Sequence, residues 1–230
     1  MICFLLSCKK KESVSSSTSR VPLIKTISTN SAVIIEYWYD NQGRMTCSRE
    51  VNDKVIDSTV YTYGNDSVER RFYENKTLAE VEHGTLENGD VTFMSGNKTD
   101  STSFWKTYYT YDQNGFLIRE IHMDNDTVET WRIEYQIQNN NIITINRINY
   151  IPAVYSYEFY PGTTNSLGIQ EKYGPYFGKS NSNLSKKCTI TLDLGTAVQN
   201  NSYDFFDNGW VKKMTSITGT DTIQTYYTYW

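Results

Sequence analysis

Apolar and polar residues alternate strictly through long stretches of this chain, and that alternation predicts β-strands. The clearest run places Trp131, Ile133, Tyr135 and Ile137 between Thr130, Arg132, Glu134 and Gln136. In an extended strand these residues fall on two opposite faces, one apolar and one polar. A helix would scatter the same apolar residues around its whole surface. Residues 130–137 are therefore predicted to form a strand that buries one face.

A recurring unit follows many of the predicted strands: closely spaced aromatic residues, then Asp, then Gly. The copies are Tyr37-Trp38-Tyr39-Asp40-Asn41-Gln42-Gly43, Tyr109-Thr110-Tyr111-Asp112-Gln113-Asn114-Gly115 and the shorter Phe205-Phe206-Asp207-Asn208-Gly209. Asp and Asn side chains bond to their own backbone, and Asn and Gly accept positive φ angles, so each unit predicts a strand that runs into a tight turn. Beyond the central turn, Phe116, Ile118 and Glu120 are expected on one face. Further turns are expected at Asp57-Ser58, Asp124-Asn125-Asp126 and Asp221-Thr222.

The predicted fold class is all-β, an antiparallel up-and-down meander of hairpins that closes into a single β-barrel, either round or flattened. A strand with its turn takes roughly 12–14 residues, which gives about fourteen strands. Closure is expected because an open sheet leaves two edges of unpaired backbone groups. The barrel domain is predicted to span residues 25–230, with its longest loop at 174–187. A barrel of more than about eight strands is not filled by its own side chains, so it must be flattened, plugged or hollow.

The first eight residues are apolar and end in Cys8, and a Lys-rich and Ser/Thr-rich stretch follows them. This start resembles the end of a bacterial lipoprotein signal peptide, with Cys8 as the lipidated residue. The resemblance implies a signal remnant at 1–8, a flexible tether at 9–24 and a lipoprotein anchored in the outer membrane of the bacterial cell envelope, on its periplasmic side or on the cell surface. An ordinary buried first strand is the alternative.

Taken together, the lipoprotein-like start, the tether and the serial hairpins resemble secreted lipoproteins of unknown function from Bacteroidetes. Some of those proteins have porin-like or calycin-like soluble barrels. The hairpin units also resemble the YD repeats of Rhs-type shell proteins, although here they are fewer and irregularly spaced. Neither family has an agreed catalytic set, so the resemblance implies no catalytic residue.

Residues that could support catalysis or metal binding are sparse. The two histidines, His83 and His122, lie in different predicted hairpins, and no phosphate loop, CxxC or GxSxG motif occurs. We therefore expect no enzyme activity, no cofactor and no metal site. The net charge of −4 argues against a nucleic-acid partner, and we expect a monomer. Cys47 and Cys188 are either two separate thiols or a disulfide.

Four aromatic residues lie on the second face of predicted strands and are the candidate ligand-binding residues. They are Trp38, Tyr108, Tyr226 and Trp230. Tyrosine and tryptophan combine an apolar ring with a polar tip, which suits stacking on sugars or small amphipathic molecules. The alternative is that these rings are only cross-strand packing partners.

Five Asp-Ser and Asp-Thr sites resemble the acceptor pattern for O-glycosylation in the periplasm of Bacteroidetes. They are Ser58, Ser67, Ser101, Thr127 and Thr222. Ordinary turn chemistry explains the same dipeptides equally well.

Three functions remain open from the sequence. The first is a non-catalytic, lipid-anchored envelope protein that binds a small molecule or glycan in or on its barrel. The second is a structural or protein-interaction module of the cell surface with a filled interior. The third is a pore-like outer-membrane barrel, which the aromatic C-terminus, residues 226–230, favours.

Overall fold

The computed structural model describes residues 23–30, 33–52, 55–98, 104–124, 128–149, 151–167, 177 and 179–230. These residues form one closed antiparallel barrel of sixteen strands. The strands are β1 (Ile24–Thr29), β2 (Val33–Tyr39), β3 (Met45–Asn52), β4 (Val55–Tyr63), β5 (Ser67–Glu74), β6 (Thr77–Glu87), β7 (Asp90–Lys98), β8 (Phe104–Tyr111), β9 (Leu117–Asp124), β10 (Val128–Gln138), β11 (Asn141–Ile148), β12 (Ala153–Phe159), β13 (Ser185–Leu192), β14 (Gly195–Phe205), β15 (Val211–Thr218) and β16 (Asp221–Tyr229). Within these ranges no helix has the length and apolar character needed to cross a membrane.

Each strand pairs with its neighbours in sequence, and β1 pairs with β16 to close the sheet. The predicted all-β meander and its closure are therefore confirmed. The predicted number of about fourteen strands was too low, because some connections are two-residue turns outside the aromatic-Asp-Gly unit. At Asn75-Lys76 the φ angles are 47° and 72°, and at Asn139-Asn140 they are 50° and 59°. Two successive positive φ angles are the signature of a type I′ hairpin turn.

The turn chemistry of the two best sequence units is confirmed. The backbone N–H groups of Gln42 and Arg44 donate to the Asp40 carboxylate at 2.9 Å each. The Asp112 carboxylate accepts in the same way from two backbone N–H groups of its own turn. The turn predicted at Asp57-Ser58 was wrong, because both residues lie inside β4 and Asp57 pairs with Glu50 on β3. The β3–β4 connection falls at 53–54, outside the described residues.

The barrel has two different ends because successive strands alternate in direction. We name the end where even-numbered strands finish the closed end, and the opposite end the open end. The long β12–β13 connection lies at the closed end and buries Leu167, Phe177 and Leu184 in the main core beside Val91 and Val211. This connection begins directly after β12, and β13 starts at residue 185, so the loop predicted at 174–187 is placed too late.

A one-residue bulge follows most closed-end turns. The unpaired positions are Thr46, Thr92, Ile118, Ile143, Lys186 and Lys212. On β9 the bulge leaves Ile118 unpaired and lets Leu117 pair with Tyr111, so that Leu117 is 3% exposed. The bulge therefore brings Leu117 to the inner side of the wall, where Glu120 also lies. Bulges are common at barrel rims because they re-aim side chains there.

Five tyrosines near the closed end hold the base of the barrel together, and we name them the base tyrosines. Each hydroxyl donates to the backbone carbonyl of the first or second residue of the preceding strand, at 2.7–2.9 Å. The pairs are Tyr39 with Ile24, Tyr63 with Met45, Tyr111 with Val91, Tyr203 with Ser185, and Tyr229 with Val211. Burial raises the pKa of Tyr39, Tyr63 and Tyr111 above the usual tyrosine value, so these hydroxyls stay protonated donors.

Tyr111→Phe should lower the free energy of unfolding by about 1–3 kcal/mol, because it leaves the carbonyl of the fully buried Val91 without its hydrogen bond. The control is Tyr108→Phe on the same strand, where the ring is 43% exposed on the outer surface; it should change stability by less than about 0.5 kcal/mol. Urea unfolding followed by circular dichroism measures both. Equal effects of the two substitutions would contradict the role of the base tyrosines.

Candidate functional site

The interior above the closed-end core contains a cavity of about 670 Å³. Its wall is formed by inward-facing side chains of β5, β6 and β8 to β12, and Phe177 of the β12–β13 connection also lines it. Phe177 is held there by an edge-to-face contact with Tyr109, with ring centroids 5.1 Å apart. The cavity therefore begins where the loop-filled part of the barrel ends.

Three rings on adjacent strands form a stack along the cavity wall, and we name it the aromatic stack. His122 on β9 lies between Trp105 on β8 and Trp131 on β10. The His122 and Trp131 rings are 4.7 Å apart and almost parallel, with an interplanar angle of 5°. The Trp105 and His122 rings are 5.4 Å apart at 30°. Such a row offers flat, amphipathic surface to a ring-shaped ligand.

The position of Trp105 depends on a glycine in the neighbouring strand. Gly96 on β7 pairs with Trp105, and a Cβ atom at this glycine would come within 2.8 Å of the indole ring. The indole N–H donates to Glu80 at 2.7 Å, which fixes the rotation of the ring. A glycine inside a strand often marks such a close approach.

His122 is held on both ring nitrogens. Its Nδ1 lies 2.8 Å from the Thr107 hydroxyl, and its Nε2 lies 3.4 Å from the Asp124 carboxylate. Burial lowers the pKa of His122 below the usual histidine value, although Asp124 acts in the opposite direction. The imidazole is therefore neutral at pH 7 and can stack as an uncharged ring.

Two buried carboxylates in the cavity wall are bound to internal donors. Glu82 is 5% exposed and accepts two hydrogen bonds from the Arg70 guanidinium. Burial raises the pKa of Glu82, while Arg70 opposes this shift. Glu120 is 7% exposed and accepts from the Tyr135 hydroxyl. These contacts link β5 with β6 and β9 with β10 inside the barrel.

Arg147 and Tyr155 are the polar side chains of the wall that stand apart from this network. Both are half-buried and line the cavity from β11 and β12. Neither side chain forms a hydrogen bond or ion pair with any residue in the described ranges. Two donors, one of them positively charged, therefore line the cavity without an acceptor among the described residues.

The cysteines and the possible metal ligands are dispersed. Cys47 and Cys188 are free thiols; Cys47 is paired with the outward-facing Trp38, whereas Cys188 is 7% exposed and pairs with the cavity residue Tyr157. They thus lie on opposite sides of the barrel wall. Among the residues the structure describes, no three His, Cys, Asp or Glu side chains are grouped so that they could hold a metal ion.

The four predicted ligand-binding aromatics all lie on the outer surface, away from the cavity. Their exposed fractions are 37% for Trp38, 43% for Tyr108, 42% for Tyr226 and 60% for Trp230. The structure brings Trp38 and Trp230 to the β16–β1–β2 region, where the Trp230 indole N–H donates to the carbonyl of Tyr37. Tyr108 lies six strands away from β2, against Phe93. These residues therefore do not form one site.

The predicted modification sites are also scattered. Ser58 is half-buried inside β4, Ser67 is exposed at the start of β5, and Thr222 is exposed near the start of β16. Ser101, Thr127 and the predicted lipidation site Cys8 lie outside the described residues.

Sequence reasoning missed most of the cavity residues. Only the alternation at 130–137 pointed to the inward face of Trp131 and Tyr135. A signal was present at Gly96, since a glycine within a strand suggests that a large side chain lies close by. Charged residues such as Arg147 gave no such signal, because alternation normally assigns them to the solvent face.

Protonation of His122 should be visible in tryptophan fluorescence, because an imidazolium ring would quench the two indoles stacked on it. We expect emission to fall as the pH decreases, with a midpoint below about 6.5, the ordinary histidine value. The neutral ring favours the folded state, so its contribution to stability is complete above this value and is lost as the pH falls. His122→Gln should abolish the transition and His83→Gln, at an exposed histidine, should preserve it. A transition that survives His122→Gln would contradict the stacking.

Comparisons with known proteins relate this chain to others through its fold. No protein-family model matches the sequence, and no curated protein matches it. Among solved structures, a porin-like protein from Bacteroides uniformis ATCC 8492 superposes with a TM-score of 0.71 at 14% identity, covering 91% of this chain and 98% of that one. A porin-like protein from Bacteroides vulgatus ATCC 8482 gives a TM-score of 0.61 at 10% identity, covering 90% and 98%. At these identities the likeness shows a shared porin-like β-barrel fold.

Proposed function

We propose that this protein is a non-catalytic binding protein of the bacterial cell envelope that takes a small ring-containing molecule or a glycan into its interior cavity. The observation that carries the proposal is the aromatic stack along the wall of the cavity. The ligand site differs from the one expected from the sequence, since it uses inward rings and not the outer Trp38, Tyr108, Tyr226 and Trp230.

The size and chemistry of the cavity support ligand binding. Its volume of about 670 Å³ lies within the range of roughly 300–1,000 Å³ that is usual for small-molecule sites. Such sites combine apolar and aromatic walls with a few polar groups that orient the ligand. Here Trp105, Trp131 and Ile133 provide the apolar wall, and Arg147 and Tyr155 provide donors that have no acceptor within the described ranges.

A binding role fits the carboxylates better than a catalytic one. A general acid or base needs an oxygen that can exchange a proton with a substrate. Both oxygens of Glu82 accept from Arg70, and Glu120 is bound to Tyr135. Both carboxylates are nearly inaccessible to solvent. In this arrangement they stabilise the wall of the cavity.

The envelope location rests on two resemblances. The first eight residues resemble a lipoprotein signal remnant ending in Cys8, and both porin-like structures come from Bacteroides. The fold also sets the orientation of the barrel relative to such an anchor, because β1 begins with Ile24 at the closed end. A lipid tether on the residues before β1 would hold the barrel by this end and leave the open end facing away from the anchor.

The porin-like fold also fits the alternative of an outer-membrane pore, but two features favour a barrel in water. Ion pairs occupy the middle of outward strand faces, for example Arg49 with Glu36 and Arg132 with Glu134. A strand that faces lipid needs an apolar band at that depth. In addition, the core containing Leu167 and Phe177 fills the closed end, which a through-going channel would have to leave open. The filled closed end would also fit a structural or protein-interaction module. The cavity above it does not fit such a module, because that alternative requires a filled interior.

Ligand screening with matched tryptophan variants tests the proposal. The full chain is screened on a glycan array and against aromatic and sugar-derived small molecules, and binding is confirmed by titration. Trp131→Ala should lower the affinity for the identified ligand by about tenfold or more, because it removes stacking and apolar contact in the cavity. Trp38→Ala on the outer surface should leave affinity unchanged. A ligand that is lost with Trp38→Ala and retained with Trp131→Ala would contradict an interior site.

A further inference from the structure

We infer that the ligand of the cavity is an organic anion: an aromatic or pyranose ring that carries a carboxylate, sulfate or phosphate group. This inference rests on the proposed binding function and adds the charge of the ligand. Arg147 and Tyr155 would bind the acidic group while the ring lies on the aromatic stack.

Among the described residues, Arg147 is the cation of the cavity wall that forms no hydrogen bond or ion pair. The other arginine of the wall, Arg70, is engaged by Glu82. The glutamates have donors of their own, since Glu80 accepts from Trp105 and Glu120 accepts from Tyr135. A charge taken out of bulk water is costly unless it is paired. Within the described residues Arg147 therefore has no negatively charged partner, and an anionic ligand would supply one.

Arg147 also lies beside the aromatic stack. Arg147 pairs across β10–β11 with Ile133, and Trp131 lies two residues before Ile133 on the same face. Diagonal neighbours on paired strands are about 7–8 Å apart. The Arg147 side chain thus lines the cavity next to Trp131, which forms one end of the stack. A ligand whose ring lies on Trp131 can therefore reach the guanidinium with a substituent of that ring.

A second donor, the Tyr155 hydroxyl, lies on the other side of Arg147. Tyr155 pairs with Ile145, which places it diagonally to Arg147 on the neighbouring strand. The planar guanidinium presents parallel N–H donors that match two oxygens of one acidic group. The Tyr155 hydroxyl can donate to the same group from the side. Two convergent donors next to an apolar wall are a recognition site for an acidic substituent.

A cationic or neutral ligand suits this wall less well. A cation would find all three carboxylates of the wall already accepting from wall donors, Glu80 from Trp105, Glu82 from Arg70 and Glu120 from Tyr135. It would also be repelled by Arg147. A neutral ligand would leave the guanidinium without a counter-charge in a partly desolvated cavity. An anion near Arg147 removes both difficulties.

Two fluorescent probes that share one ring system separate the contributions of ring and charge. Anilinonaphthalene sulfonate is anionic, and N-phenylnaphthylamine is its uncharged counterpart. Both are titrated into the full-length protein and into Arg147→Met, with Arg119→Met, an exposed arginine on the outer face of β9, as the matched control. Arg147→Met should lower the affinity for the anionic probe at least about tenfold, because a charge-assisted hydrogen bond is lost. It should leave the neutral probe within about threefold, which also shows that the variant is folded.

Two further measurements complete the test. Added salt should lower the affinity for the anionic probe and leave the affinity for the neutral probe unchanged. Trp131→Ala should lower the affinity for both probes. If Trp131→Ala weakens both probes and Arg147→Met changes neither, the ligand is bound in the cavity without recognition of charge, and the anion inference is wrong while the proposed function stands. If binding of both probes is indifferent to Trp131→Ala, neither probe uses the cavity, and the proposed function itself fails.

Discussion

The fold depends on hydrogen bonds between tyrosine hydroxyls and backbone carbonyls at one end of the barrel. Near the start of several odd-numbered strands, a backbone carbonyl at the closed end accepts a hydrogen bond from a tyrosine of the following strand. Tyr63 and Tyr111 donate to such carbonyls at Met45 and Val91, and Val91 is fully buried. An unsatisfied carbonyl in that position would cost about 1–3 kcal/mol. The repeated tyrosines thus allow a ring of apolar residues to close over the base of the barrel.

That base divides the interior into two parts with different roles. Below, Leu167 and Phe177 from the β12–β13 connection pack with the first residues of the odd-numbered strands and fill the space. Above, the wall is too wide for its side chains to meet, and a cavity lined by Trp131 and Arg147 remains. A rigid, filled base lets the upper wall keep polar and aromatic groups in fixed places without packing them against each other, which is the condition for a preformed ligand site.

The sequence predicted the fold better than the site, for a physical reason. Alternation identified β10, and the Asp40 and Asp112 turns formed as expected, because both signals are local. Bulges were not visible, so the inner position of Leu117 on the same side as Glu120 was missed. The inward position of Arg147 was hidden too, since a charge on an alternating strand normally faces solvent. The outer aromatics such as Trp38 were singled out because both faces of their strands carry rings, and only barrel closure decides which face is inside.

Amide hydrogen exchange along single strands tests the central claim that the tyrosine-bonded end is the stable base and the other end surrounds an open cavity. Paired amides at the two ends of β7 and β15 have the same type of ladder hydrogen bond, so a difference between them reports local stability. We predict slower exchange near Val91 and Val211, at the closed end, than near Asn97 and Ile217, at the open end. Equal rates along these strands, or faster exchange near Val91 and Val211, would contradict this account.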